Sequence, residues 1–277
     1  MVESETMAQN MEIICVGNEL LIGKTLNTNA QWLSKRATAV GLAVKRVTVV
    51  GDEVEEIASA VREALQRKPQ FIVTTGGLGP TFDDKTLEGI AKALSCKLEV
   101  NAKALQMVKE KYEAYARERR TEKVELTQSR IKMATIPEKT EPIRNPVGTA
   151  PAVRADLNGT ILIALPGVPA EMEAIFEETI APLLEQVSGG NAFYEKSIYA
   201  DNIMESSLAP LIDKVMQDNH GVYVKSHPKG KEDKPHIEIH FSIKDKKAEK
   251  PEEKLQKAVA QLSSLIEESS GKVVSSA

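Results

Sequence analysis

Residues 73–86 read "VTTGGLGPTFDDKT". With "QFI" before them they begin as a short apolar run that breaks at Gly76 and Gly77, as a buried strand does. The following "DKTLEGIAKALS" (84–95) has helical spacing, so a helix is expected to begin near Asp83 or Asp84. A strand that ends in glycines and turns into a helix is a phosphate cradle. The first-turn amides are unpaired, the helix dipole is positive there, and Gly76, Gly77 and Gly79 let backbone approach a ligand. Asp83 and Asp84 stand where the anion would sit. An N-cap role accounts for one of them. Two like charges repel by about 4 kcal/mol at about 4 Å and an effective dielectric of about 20. A hard divalent cation takes carboxylate and phosphate oxygens together. The pair therefore points to a metal-bridged phosphate rather than a bare one.

The flanking sequence alternates in type. "MEIICVG" (11–17) is a strand, "NTNAQWLSKRATAVG" (27–41) a helix and "AVKRVTVVG" (43–51) a strand. Asp52 is expected to cap a helix with Ile57, Val61 and Leu65 on one face. This alternation predicts a parallel sheet covered on both faces. Residues 101–136 are charged and read as two helices with a break near Thr121. "LNGTILIALPG" places a hairpin turn at Asn158-Gly159, and "VPAEMEAIFEETIAPLLEQV" reads as a helix with Pro169 in its first turn. "SGGNA" (188–192) reads as a linker. The expected fold is a three-layer α/β/α domain with a mostly parallel sheet over 11–187, then a smaller α+β domain over 192–277, after a disordered leader at 1–10. Trp32 is expected to pack rather than stack on a ligand.

A chain of 277 residues can bury a sizeable core, and a formal charge of -4 gives no pull toward nucleic acid or an anionic membrane surface. Neither is expected as a partner. The start is polar, no apolar run is long enough to span a bilayer, and the two cysteines fit a reducing, cytoplasmic setting. Cys15 lies in an apolar strand and reads as a buried small hydrophobe.

Two further loops end on the same sheet edge. "VGNELLIGKTLNTN" (16–29) carries Asn18, Glu19, Gly23, Asn27 and Asn29; "LPGVPAEM" (165–172) carries Glu171 in the first helical turn. Three polar, glycine-bearing strand ends are expected to converge on one cleft. Gly23-Lys24-Thr25 lacks the upstream glycine of a P-loop, so an NTPase of that type is not expected.

"GNELLIGKTLNTNA", "TTGGLGPTFDDKT", "RNPVGTAPA" and "LPGVPAEM", in that order over about 11–186, resemble the CinA family (competence/damage-inducible protein A). More broadly they resemble the molybdopterin-binding fold of molybdenum-cofactor biosynthesis proteins. The second unit is similar to the small KH-like linker domain of longer CinA proteins. The resemblance implies an ADP-ribose pyrophosphatase using a divalent metal (Mg²⁺, Mn²⁺ or Co²⁺), with K⁺ in some members, and a small nucleotide as ligand. It implies that Thr75, Gly76, Gly77, Gly79 and Thr81 hold the pyrophosphate, and that Asp83 and Asp84 bind metal or orient water. Asn18, Glu19 and Asn27 would line the opposite wall, and Asn145, Gly148, Pro166, Gly167 and Glu171 would close the site. It admits a homodimer, which the sequence itself does not show. Many relatives have aspartate where this chain has Asn18 and Asn27, which removes two negative charges from that wall. The longer members also carry a nicotinamide-nucleotide amidohydrolase domain, for which this chain is expected to have no room.

The leading expectation is metal-dependent hydrolysis of a nucleotide pyrophosphate bond, ADP-ribose to AMP and ribose 5-phosphate, with Asp84 or Glu171 as general base. Molybdopterin binding or adenylyl transfer to a pterin phosphate is the second. A non-catalytic nucleotide-sensing module is the third. In "HIEIH", His236, Glu238 and His240 share one strand face. An exposed polar face is expected there, with zinc as the alternative.

Overall fold

The computed structural model describes residues 10–119, 125–188, 192–230, 235–245 and 250–274. Residues 1–9, the expected break at Thr121 and most of the expected linker lie outside them. The described residues part into two compact units, the second made up of those after Ser188 together with Ala39–Gly41.

The first unit begins with β1 (Asn10–Val16), α1 (Asn18–Leu21), α2 (Thr28–Ala39), β2 (Ala43–Val50), α3 (Val54–Gln66) and β3 (Phe71–Thr75). It continues with α4 (Thr86–Ala93), β4 (Leu98–Val100), α5 (Ala102–Arg119), α6 (Gln128–Lys132), β5 (Thr135–Pro137) and β6 (Glu141–Ile143). A hairpin of β7 (Ala152–Leu157) and β8 (Thr160–Leu165) follows. The unit closes with α7 (Pro169–Ile175), a π-helical turn (Phe176–Ile180) and α8 (Ala181–Ser188).

Six strands form one sheet in the order β2-β1-β3-β8-β7-β6. β2, β1, β3 and β8 run parallel, while β7 and β6 are antiparallel. The central strands β1, β3 and β8 are buried on both faces, as a covered parallel sheet requires, whereas edge strand β2 exposes Lys45, Arg46 and Val47. Ile14, Ile72 and Leu162 point into a cluster with Ile57, Val61 and Ile90 of the helices. Their neighbours Ile13, Val73 and Ile163 are buried on the other side. There Trp32 of α2 meets Phe176 edge-on, with ring centroids 5.2 Å apart, so Trp32 packs as expected. β1 connects outward to β2, and the chain then crosses back to β3 on the other flank of β1. This topological switch opens a crevice at the carboxyl ends of β1 and β3.

Four local expectations are corrected. Asp52 does not cap α3, whose N-terminus has no side-chain cap; its Oδ2 accepts the Asn18 N–H at 2.9 Å. α4 begins at Thr86, and neither Asp83 nor Asp84 caps it. The stretch 101–136 is not wholly helical: β5 leaves it to pair antiparallel with β4. The leader also ends earlier, since Asn10 already pairs with Ala43.

The second unit holds β9 (Ala192–Asp201), α9 (Glu205–Asp218), β10 (Val222–Pro228), β11 (His236–Asp245), α10 (Pro251–Glu268) and β12 (Lys272–Val274). Its antiparallel sheet, ordered β10-β11-β9-β12, buries Ile198, Ile237, Ile239 and Phe241 against Leu208, Leu255 and Leu262 of the two helices.

Candidate functional site

The carboxyl ends of β1, β3 and β8 are tied together by few side chains. Thr75 donates its hydroxyl to Pro166 O at 2.9 Å and accepts Asn29 Nδ2 at 3.0 Å. The same Asn29 amide reaches Gly167 O at 2.9 Å. One asparagine from the first loop thus links the other two strand ends. Gly76 has φ +105 and its amide reaches Leu165 O; a Cβ there would collide with the carbonyl of Val16. Gly167 passes so close that a Cβ would lie 3.2 Å from Gly76 Cα. Glycine is required at Gly76, and a side chain at Gly167 would press on the crossing backbone.

Beyond the strand, Gly77 has φ +67. Thr86, the last residue of the opening stretch, holds the loop from the helix side. Its hydroxyl donates to Gly76 O at 2.7 Å and its amide to Gly77 O at 3.1 Å. The amides of Gly77, Leu78 and Gly79 donate to no acceptor among the described residues. Free amides on a glycine loop are what an anion needs.

Thr81 organises the aspartates. Its amide donates to Asp84 Oδ2 at 2.8 Å, and its hydroxyl lies within hydrogen-bond reach of Asp83 Oδ1 and of Asp84 Oδ2. The Thr81 hydroxyl, then the Asp83 backbone amide, holds the Asp83 carboxyl below its usual range, and the charges of Lys132 and Lys85 act in the same sense. Lys132 donates to the carbonyls of Thr81 and Asp84, buttressing the turn from α6.

On the far side, buried Asn145 shapes the loop after β6. Its Oδ1 accepts the amides of Val147 and Gly148 at 3.0 and 2.7 Å, and its Nδ2 donates to Ala150 O at 2.9 Å. The same Nδ2 holds Glu171 Oε2 at 2.7 Å. Glu171 sits in the first turn of α7, whose N-terminal residue is Pro169. Gly148 is so close that a Cβ would overlap the Glu171 carboxylate.

These parts enclose a cleft of about 420 Å³. Glu19, Asn27, Thr75, Gly76, Gly77, Gly79, Asp83, Asp84, Pro166, Gly167 and Glu171 all line it, as the convergence of three strand ends predicts. Asn18, Thr81, Asn145 and Gly148 do not. Thr81 holds Asp83 and Asp84, Asn145 holds Glu171, and Gly148 leaves room for the Glu171 carboxylate, whereas Asn18 faces Gly51 and donates to Asp52. Asn27 lines the cleft, yet its Oδ1 caps α2 through the Ala30 amide at 3.1 Å. Asp52 is the one carboxylate of the lining that sequence reasoning missed, because it reads as a helix cap. Asn29 was expected at this edge from the first loop, though not as the link between the other two strand ends. Thr86 and Lys132 were missed as organisers, and of these only Thr86 carried a signal, at the end of the glycine motif.

The lining holds five carboxylates, Glu19, Asp52, Asp83, Asp84 and Glu171, and no lysine or arginine. Among the described residues no three His, Cys, Asp or Glu side chains gather closely enough to hold a metal by themselves. On the "HIEIH" strand the expected exposed face is instead half-buried: His236 pairs with Asp201 at 2.6 Å and stacks on Tyr199, Glu238 pairs with Lys229, and His240 lies by Ser197 and Glu195. Cys15 is buried, as expected of a small hydrophobe, and burial pushes its thiol pKa up, with an opposing hydrogen bond from Asn27. Among the described residues no helix is long and apolar enough to cross a membrane.

Residues 12–186 match the family described as "Probable molybdopterin binding domain". A protein of Caldivirga maquilingensis is 48% identical over 252 residues, covering 90% of this chain and 94% of that one. Protein SSO0103 of Saccharolobus solfataricus is 44% identical over 261 residues, covering 94% and 93%. Among solved structures, the protein CinA of Thermoplasma acidophilum, described as of unknown function, is 44% identical with a TM-score of 0.58. It covers 64% of this chain and 98% of its own. The glycine loop, the crossing strand ends and the matched span together make this chain a member of the family of probable molybdopterin binding domains.

Proposed function

We propose that the cleft hydrolyses a nucleotide pyrophosphate bond with a divalent cation bound, converting ADP-ribose to AMP and ribose 5-phosphate, as the CinA-like motifs suggest. One observation carries this reading. A glycine loop with free amides, the usual seat of a phosphate, opens into a lining of five carboxylates and no basic side chain. An anionic ligand is compatible with such a lining only when a cation lies between them.

The residues fit that cation. Asp83 and Asp84 would hold it, and Asp84 Oδ1 accepts no hydrogen bond among the described residues. A pair of carboxylates without a third protein ligand suits Mg²⁺ or Mn²⁺, which keep waters and take phosphate oxygens from the substrate. When bound, such an ion supplies charge neutralisation and polarises phosphorus. The amides of Gly77, Leu78 and Gly79 stabilise charge on the non-bridging oxygens. Glu171, oriented by Asn145, or Asp84 takes a proton from the attacking water. The new phosphorus–oxygen bond forms as the bridging bond breaks, and the departing phosphomonoester keeps the bridging oxygen.

The test is AMP release from ADP-ribose with Mg²⁺, Mn²⁺ or Co²⁺. Asp84→Asn keeps an acceptor for the Thr81 amide but removes the charge, and should lower the rate about a hundredfold or more. AMP release by this variant at the wild-type rate, or none from the wild type with any of the three metals, sinks the reading. The family match favours a second reading, pterin binding or adenylyl transfer to a pterin phosphate. An adjoining crevice of about 250 Å³ with Leu78, Leu87, Leu98 and Ile131 in its walls offers an apolar slot for a ring. Turnover that needs ATP and a pterin would favour it.

A further inference from the structure

Beside the acidic cleft lies a second cavity of about 360 Å³, and Thr149 lines both. Its character is the reverse. Lys111 and Arg117 from α5 and Arg144 from the loop after β6 line it, with Glu110 as its single carboxylate. Glu110 is already engaged, since Gln106 Nε2 donates to its Oε1 at 2.8 Å. Lys111 donates to Pro146 O at 2.5 Å, which uses one of its three N–H groups. Arg117 and Arg144 have no hydrogen-bond or ion-pair partner among the described residues. Burial, and then the charge of Arg144, lower the Lys111 pKa, while Glu171 and Glu178 act in the opposite sense. Three cations therefore share one concavity, and its only carboxylate is held by a neutral side chain.

We propose that this cavity binds a phosphomonoester, with Arg117 and Arg144 on the phosphate oxygens and Lys111 adding charge. A tetrahedral dianion matches two guanidinium forks and an ammonium better than a single carboxylate does. The volume falls within the range of small-molecule pockets, about 300–1,000 Å³, and leaves room for a sugar beside the phosphate. The site differs from the acidic cleft in what it requires. Its own side chains supply the positive charge, so binding needs no divalent ion. It stands whether or not the cleft is a hydrolase.

Calorimetric titration with ribose 5-phosphate in EDTA at low salt tests this. The wild type should give saturable binding, with inorganic phosphate binding more weakly. Arg117→Gln with Arg144→Gln should weaken it about tenfold or more, since charge-assisted hydrogen bonds are lost. Both arginines are exposed, so a thermal melt should show this variant folded. Asp83→Asn with Asp84→Asn should bind as the wild type does. Absence of saturable binding in EDTA, or undiminished binding by the arginine variant, overturns the proposal. So does binding that appears only with Mn²⁺ and is lost in the aspartate variant, which would assign the phosphate to the cleft.

Discussion

Asn29 is the residue on which the site geometry depends most. Its amide donates to Thr75 Oγ1 and Gly167 O, joining three strand ends that are 46 and 138 residues away along the chain. Asn29→Ala removes both bonds and should cost about 1–3 kcal/mol, read as a lower urea midpoint, with a larger fractional loss of AMP release. Gly148 makes a different kind of demand. The atoms nearest a Cβ there are those of the Glu171 carboxylate, the far end of a flexible side chain, so Gly148→Ala should displace that carboxylate and slow turnover while the melting temperature hardly moves. Glu177 carries a pH signature. Hydrogen bonds from Arg36 hold its pKa below the ordinary 4.5. A carboxylate depressed on folding adds stability that is full above 4.5 and lost as pH falls through the folded value. The pair is partly exposed, so its contribution is at most about 1 kcal/mol. Glu177→Gln should lower the melting temperature slightly at neutral pH, and the difference should shrink in acid.

At the scale of elements, legibility followed the range of the forces involved. The β7–β8 hairpin was readable because Asn158 and Gly159 take φ of 44 and 99, the pair a tight primed turn demands. Gly159→Ala should cost about 1 kcal/mol through that backbone alone, checked by urea unfolding. β1, β2 and β3 were equally plain, since each is a β-branched run ending in glycine or polar residues. The start of α4 was not. Two aspartates ahead of a helix resemble caps, but Thr86 bonds back to the glycine loop and delays the helix, leaving both carboxylates for the cleft. β4 and β5 were also hidden. Each has three residues, too few for a period, and they meet only through pairing across some 35 positions. The π-helical turn after α7 has no marker in its composition.

Across the whole molecule, a net charge of -4 conceals segregation. Acidic groups gather at the parallel strand ends, and basic groups gather in the cavity behind Thr149. Sequence reading found the first because the glycines and aspartates are contiguous. It missed the second because Lys111, Arg117 and Arg144 are scattered among the charges of a solvated helix and the loop after β6. In the proposed function a cation reconciles the acidic cleft with an anionic nucleotide. The most direct measurement is the electron paramagnetic resonance signal of free Mn²⁺ titrated with the protein, with and without ADP-ribose. Stoichiometric binding that tightens with ADP-ribose and disappears in Asp83→Asn with Asp84→Asn is the predicted result. Mn²⁺ binding that ignores both the nucleotide and the two substitutions would contradict it.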